Sequence, residues 1–213
     1  MKWVLGSQSP RRLDLLKQIA PPEQIEVLPP LDSTEPGFEG LSEGAAIKQQ
    51  LLDIARSKCD DVLAQLSKRS ATSDDGQTVV VTADTVIVAT DANSRPIVLG
   101  KPPEDKSWTE TVREWFQTYY FGRTHTAATA VCLARPGGGK SERVVETQVT
   151  FDAAGSRWLD WYLETGEPRG KAGGYAIQGA GGLFVSKLEG SLSNVVGLPL
   201  RELLEMLSQF DMA

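Results

Sequence analysis

Apolar residues recur along the chain in two periods, and the changes of period divide it into strands and helices. Lys2 to Leu5 predicts a short strand, followed by Leu13, Leu15, Leu16 and Ile19 at helical spacing, with Ser9 placed for the N-cap and Pro10 for the first helical position. Gln24 to Leu28 predicts a second strand, and Ser42 to Leu66 a long amphipathic helix that carries Lys48 and Lys58 with Ser42 as cap. Ser67 to Gln77 is polar and reads as an exposed loop. Trp108, Val112, Trp115, Phe116 and Tyr119 form a core-facing stripe on a helix expected over Glu104 to Tyr120. Thr124 to Ala134 and Glu142 to Phe151 predict paired strands, Arg157 to Leu163 a short helix, and Leu183 to Leu188 a strand. A last helix begins at Pro199, with Leu203, Leu204 and Leu207 on its buried side.

One polar interruption stands out in this pattern. Val79, Val80, Val81, Val86, Ile87 and Val88 form a β-branched run of the kind covered on both faces of a sheet, yet Asp84 and Thr85 lie inside it. A buried carboxylate must be hydrogen-bonded, paired with a cation or bound to a metal, because burying it alone costs several kcal/mol, on the order of a buried charge. The chain turns at Asp91 to Pro96 and returns through Ile97, Val98 and Leu99 to Gly100-Lys101-Pro102, so a hairpin is expected to bring Lys101 near Asp84. An Asp84–Lys101 pair would be structural or functional, and this stretch alone leaves both open.

With 213 residues, 40% hydrophobic and 23% charged, the composition is that of an ordinary globular protein, one large domain or one domain of two lobes. A net charge of −6 argues against a broad basic surface for nucleic acid or anionic membrane, so any anion site must be local. Cys59 and Cys132 are too few for a disulfide framework or a cysteine metal cluster, which suits a reducing, cytoplasmic setting. The N-terminal apolar run is too short for a signal peptide, and nowhere does an apolar stretch approach the length of a membrane span. His125, the single histidine, leaves a Ser-His-Asp triad resting on one residue and rules out a multi-histidine zinc site. At the start of a strand it reads as structural, and acid/base and metal chemistry falls to carboxylates.

Local anion chemistry is visible in two places. Arg11 and Arg12 occupy the first turn of a helix, where the dipole disfavours cations; a bound anion reverses that penalty, and Ser7 with the free N–H groups completes a phosphate site. From Glu167 to Gly182 the glycine density implies close backbone approach, with Tyr175, Ile177 and Gln178 offering apolar contact and an amide to a ligand's ring and polar edge. Gly139-Lys140-Ser141 invites a Walker A reading, but Ala134 stands where the first glycine is required and a strand follows, so a hairpin loop is expected. Asp32 and Glu35 lie in a proline-rich loop and, taken alone, are ordinary turn acids.

Taken in order, Ser7-Gln8-Ser9-Pro10-Arg11-Arg12, Ala83-Asp84-Thr85-Val86, Leu99-Gly100-Lys101-Pro102, Gly122-Arg123-Thr124-His125, Lys171-Ala172-Gly173, Ile177-Gln178-Gly179 and Asn194 to Pro199 resemble the motifs of the Maf family of nucleoside triphosphate pyrophosphatases. The resemblance runs through nearly the whole of 1–213. It implies an α/β fold with a mixed, curved sheet flanked by helices, two lobes about a central cleft, often in a homodimer, and metal-dependent release of pyrophosphate from a nucleoside triphosphate. Ser7, Arg12, Glu35, Lys58, Asp84 and Lys101 would then be catalytic or phosphate-handling, and Arg11, Thr85 and Gln178 tied to the base. Asp84 and Glu35 would hold Mg²⁺ or Mn²⁺, or Asp84 would act as general base. Thr34, Gly170 and Phe121 depart from the family pattern, but Asp84, Glu35, Lys58 and Lys101 remain, and activity is expected to survive. Arg11, Thr85 and Gln178 together resemble the branch that prefers dTTP and UTP, with modified uridine triphosphates as further substrates, over the branch that prefers 7-methyl-GTP. A nucleotide-binding regulator of division or growth arrest is the alternative in another class.

Overall fold

A computed structural model describes residues 1–32, 34, 36–69 and 77–211. Among the described residues, seven strands form one mixed sheet in the order β2-β1-β3-β5-β6-β7, with β4 also paired to β3. They are β1 (Lys2–Leu5), β2 (Ile25–Val27), β3 (Thr78–Thr90), β4 (Pro96–Leu99), β5 (Thr124–Ala134), β6 (Lys140–Phe151) and β7 (Val185–Glu189). β1 runs parallel to β2 and β3, while β3, β4, β5, β6 and β7 pair antiparallel. The flanking helices are α1 (Pro10–Leu16), α2 (Gly44–Arg69), α3 (Trp108–Trp115), α4 (Leu159–Glu164), α5 (Leu192–Val196) and α6 (Leu200–Asp211).

β3 is too long for any one neighbour on its outer edge, and that mismatch creates the site. Its first residues pair with β1, ending at Leu5 opposite Val81, and its last residues pair with β4, ending at Leu99 opposite Ile87. Thr82 to Val86 therefore keep a ladder partner on the β5 side alone, with Asp84 opposite Ala130. β1 and β4 both run toward this gap, so their carboxyl ends deliver Gly6-Ser7 and Gly100-Lys101 into it. Crevices beyond the carboxyl ends of strands are where open α/β sheets bind ligands.

Alternation along β3 sends successive side chains to opposite faces. Val80 and Val86 pack with Ala55, Cys59 and Val62 of α2, whereas Val79, Val81 and Ala83 pack with Leu15 and Leu16 of α1 and Leu203 of α6. A third cluster gathers Phe116, Tyr120, Phe151, Tyr162, Tyr175 and Phe184 at the far end of β3. Trp108 and Trp115 of α3 pack on that cluster together with Tyr119, which lies in the π-helical turn Phe116–Tyr120 that continues α3, as the stripe's spacing predicts.

Several boundaries differ from expectation. α2 begins at Gly44, with Glu43 rather than Ser42 supplying the carbonyl for the first turn, and it continues through Ser67 to Arg69. The remainder of the expected polar loop, 70–76, lies outside the described residues. α3 starts at Trp108 because the Asp105 carboxylate accepts the Ser107 N–H at 2.8 Å and holds the preceding residues in a turn. The expected helix at Arg157 is split into a 3-10 segment, Ala153–Trp158, and α4. In α6, Leu204 is exposed and Met206 is buried, since the inward stripe runs Leu203, Met206, Leu207 and Phe210. Pro199 precedes α6, where its carbonyl accepts the Leu203 N–H at 2.9 Å. The loop at Arg135 to Gly139 is a tight β5–β6 connection, in keeping with rejection of a Walker A motif.

Candidate active site

The gap in the β3 edge opens into a cleft of about 1090 Å³. Asp84 faces it from the α2 side of the sheet. Its Oδ1 accepts from Lys58 Nζ at 2.7 Å, with both side chains only 13% and 15% exposed. The expectation that Lys101 would be the cation on Asp84 is thus corrected: β4 leaves the ladder at Leu99, and Lys101 lines the same cleft as an exposed side chain. Lys58 is correspondingly not on a solvated helix face, whereas Lys48 is, in an exposed pair with Glu146 at 2.7 Å. Thr82, one alternation before Asp84, donates its hydroxyl to the Ala55 carbonyl at 2.7 Å and fixes α2 against β3 at this level.

From the opposite face comes Arg12. Its Nε donates to the Gly197 carbonyl at 2.9 Å, Nη1 to Ser7 Oγ at 3.3 Å and Nη2 to Thr85 Oγ1 at 3.1 Å. Thr85 is further bonded to Thr129 Oγ1 at 3.0 Å, and Thr129 donates to the Asn194 carbonyl at 3.0 Å. α5 and two neighbouring strands therefore fix the guanidinium fork before any ligand arrives, which limits the conformational entropy lost on binding. Thr85 was expected to read the base. It lines the cleft, but its hydroxyl is committed to Arg12 and Thr129, so what it does directly is orient Arg12. Ser9 takes the N-cap position and Pro10 the first helical one, although the Ser9 hydroxyl makes no cap bond among the described residues; Ser7 Oγ accepts the Ser9 N–H at 3.1 Å instead.

Arg11 lines the outer cleft on the first turn of α1. Lys171 faces it there. Burial, and then the charge of Arg11, depress the Lys171 ammonium below its ordinary range, while its Nζ donates to the Glu167 carbonyl at 2.6 Å. Two like charges held at one cleft mouth point to an anionic ligand. Lys171 was not assigned this role from sequence, although its place inside the glycine-rich stretch and in the Lys171-Ala172-Gly173 motif was a signal for it. Arg95, on the β3–β4 turn, is another cleft cation that sequence left unmarked.

The glycine-rich stretch forms the far wall, with Ile177 and exposed Gln178 lining the cleft. The Gln178 amide makes no hydrogen bond to the described residues. Tyr175, by contrast, is mostly core: 6% exposed, it meets His125 Nε2 through its hydroxyl at 2.8 Å. His125 is buried and neutral, with burial pushing its pKa down to about 3, so the structural reading of this histidine holds. Close approach at the glycines is made to protein, as when Gly173 N–H donates to the Gly100 carbonyl beside Lys101 at 2.8 Å.

Glu35 lies outside the described residues. The residues ahead of it are pinned to α2, because the Asp61 carboxylate accepts the N–H groups of Leu31 and Asp32 at 3.1 and 3.3 Å. Among the described residues there is no cluster of three or more His, Cys, Asp or Glu side chains able to hold a metal. The thiols of Cys59 and Cys132 are buried away from the cleft, Cys132 raised above its usual range by its hydrogen bond with Cys59 and by burial.

A sequence profile of the family described as Maf-like protein matches residues 2–210. The chain belongs to the Maf family. Its relatives include a dTTP/UTP pyrophosphatase of Anaeromyxobacter sp. (strain Fw109-5), 38% identical over 210 residues that span 97% of this chain and 88% of the relative. Another, from Brucella abortus (strain 2308), is 37% identical over 208 residues, 97% of this chain and 90% of its own length, and bears the same name. Among solved structures, the fold is similar to a nucleoside-triphosphatase / dITP/XTP pyrophosphatase from Mycobacterium abscessus, with a TM-score of 0.40 at 18% identity over 72% of this chain and 75% of that one. A HAM1 protein from Coxiella burnetii gives 0.45 at 15% identity over 72% and 74%.

In this Maf chain, the motifs distant in sequence converge on one cleft: Ser7 and Arg12, Lys58, Asp84 and Thr85, Lys101, and Gln178 all line it. Asn194 to Pro199 contributes from behind, through the Gly197 carbonyl on Arg12 and the Asn194 carbonyl on Thr129. No helix among the described residues is long and apolar enough to cross a membrane.

Proposed function

We propose that this chain, acting as one domain over 1–213, hydrolyses dTTP and UTP between the α- and β-phosphates, giving the monophosphate and pyrophosphate. The observation that carries this reading is the gap at Asp84, where a carboxylate–lysine pair from one face of the sheet and a braced arginine from the other meet in one cleft. The shared name of the relatives, dTTP/UTP pyrophosphatase, supports the same substrates. Lys58 holds Asp84 through Oδ1, which leaves Oδ2 either to accept a proton from the attacking water or to ligate a cation. Arg12, Lys58 and Lys101 offset charge on the triphosphate, and a partly closed cleft makes each more effective than in water. Arg11 and Lys171 at the mouth add attraction for the polyanion.

The donor set fits Mg²⁺ or Mn²⁺ arriving with the nucleotide, because such ions are commonly held by one or two carboxylates plus substrate phosphates. Asp84 supplies one carboxylate here, and Glu35 is the proposed second. When bound, the ion neutralises phosphate oxygens and lowers the pKa of bound water. We further propose a cytoplasmic homodimer, supported by the two free cysteines and by exposed Trp158, Trp161 and Leu183, which supply apolar surface for a second copy.

Base choice is assigned to Gln178, whose amide can both donate to a carbonyl and accept the N3–H of uracil or thymine. Cytosine presents a bare N3 beside an N4 amino group, the reverse order, so an amide held in the uracil orientation and covered by the bound base is left with an unpaired acceptor, at a cost of about 1–3 kcal/mol. The C5 methyl lies off this edge, which extends the proposal to modified uridine triphosphates. The experiment is pyrophosphate release with Mg²⁺ from dTTP, UTP, CTP and 7-methyl-GTP, on the wild type and on Gln178→Ala. dTTP and UTP should lead, and the variant should lose its preference for UTP over CTP. CTP or 7-methyl-GTP as the best substrate would refute the base assignment, and no release from any of the four would favour a regulator that binds without turnover.

A further inference from the structure

Glu167 does not line the cleft, yet it is bonded to both sides of the segment that does. Its carboxylate accepts the Ala180 N–H at 2.8 Å through Oε2, and the Gly181 N–H at 2.9 Å and the Tyr162 hydroxyl at 3.1 Å through Oε1. Its backbone carbonyl accepts from Lys171 Nζ at 2.6 Å. The approach is close enough that a Cβ added to Gly179 would fall 2.1 Å from Oε2, so glycine is required beside Gln178 for the carboxylate to reach its donors.

Ala180 and Gly181 open the 3-10 segment Ala180–Phe184, whose first N–H groups need acceptors from outside the segment. A carboxylate reached from thirteen residues earlier serves as an anionic cap, stronger than a neutral one. Gln178 has no protein partner of its own among the described residues, so its direction is inherited from this turn, in which Gly179 N–H donates to the Ala176 carbonyl at 3.1 Å. We propose that Glu167 is a positioning residue for base specificity: by capping Ala180 and Gly181 it aims the Gln178 amide into the cleft. The inference rests on the assignment of Gln178 to the nucleotide base.

Glu167→Gln keeps the shape but places an amide donor against one of the two backbone N–H donors. In the variant, the preference for UTP over CTP in kcat/KM should fall about tenfold, the scale of one misplaced hydrogen bond to the base. Loosening of the wall in general would reduce both substrates together and leave their ratio unchanged. Acting through Gln178, the substitution should also leave the ratio unaltered when made in a Gln178→Ala background. If Glu167→Gln does not fold, Gly179→Ala serves in its place, since its Cβ displaces the carboxylate without removing it. An unchanged UTP/CTP ratio in a wild type that discriminates, or a ratio that falls further in the Gln178→Ala background, overturns the role of Glu167 alone. A wild type that turns over UTP and CTP equally, or one that discriminates while Gln178→Ala keeps the preference, overturns both the base assignment and this inference, as does a wild type that releases no pyrophosphate.

Discussion

Asp84 and Thr85 are neighbours in sequence and are used on opposite faces of the sheet, one tied to Lys58 and the other to Arg12. Removing the charge from the first tests the proposed chemistry most directly. Asp84→Asn should reduce pyrophosphate release by at least about 100-fold, the usual scale for loss of a general base. The fold should persist at a cost of about 2 kcal/mol, because the mostly buried Lys58 ammonium then faces an amide in place of a carboxylate. Turnover near the wild-type rate, with thermal melting recorded alongside, would remove Asp84 from the mechanism. The residue's importance was legible in sequence as a carboxylate in a β-branched run; its partner was not, because Lys58 sits on a helix that only packing brings to β3.

At the scale of elements, the site depends on where strands stop. β1 ends opposite Val81, and Gly6 then turns away under an N–H bond to the Val81 carbonyl at 2.9 Å. A Cβ at this position would meet Thr82 Cγ2 at 2.5 Å and Val62 Cγ2 at 2.9 Å, both in the layer where α2 seats on β3. Gly6→Ala should therefore cost about 1–3 kcal/mol through overpacking. It should also reduce kcat/KM, since Ser7 and α1 follow directly. Denaturant unfolding and nucleotide turnover measured together check this; an alanine variant as stable and active as wild type would show that the layer relaxes freely. Helix and strand types along the chain were readable from periodicity. The end of α2, the start of α3 and the inward face of α6 were not, because local turns and neighbouring layers set them.

For the whole molecule, the aromatic cluster at the far end of β3 is a stability reservoir with a pH dependence. His125 lies within it, between Tyr120, Phe151 and Tyr175, and its Nδ1 has no hydrogen-bond partner among the described residues. Folding lowers its pKa from the ordinary 6.5 to about 3, so between these values the unfolded chain binds the extra proton. Stability must then rise with pH in this window and be lost on acidification, by about 1 kcal/mol between pH 7 and 5.5 from this group. His125→Gln retains a donor toward Tyr175 and cannot be protonated there. Its unfolding free energy should change less over that interval than the wild type's, and an equal change in both would remove His125 as the cause.

Sequence by itself determined the α/β class, the family, the carboxylate inside a buried strand, the arginines at the start of α1 and the structural role of the histidine. These are local facts: period, residue chemistry and motif order are all carried by neighbours along the chain. Tertiary structure decided that Asp84 pairs with Lys58 instead of Lys101, that Thr85 orients Arg12, that Tyr175 belongs to the core, and that Lys171 and Glu167 frame the Gln178 wall. The physical reason is the same in each case. A side chain's partner depends on where unequal strands end and on which layer packs above them, and those distances join residues far apart in sequence.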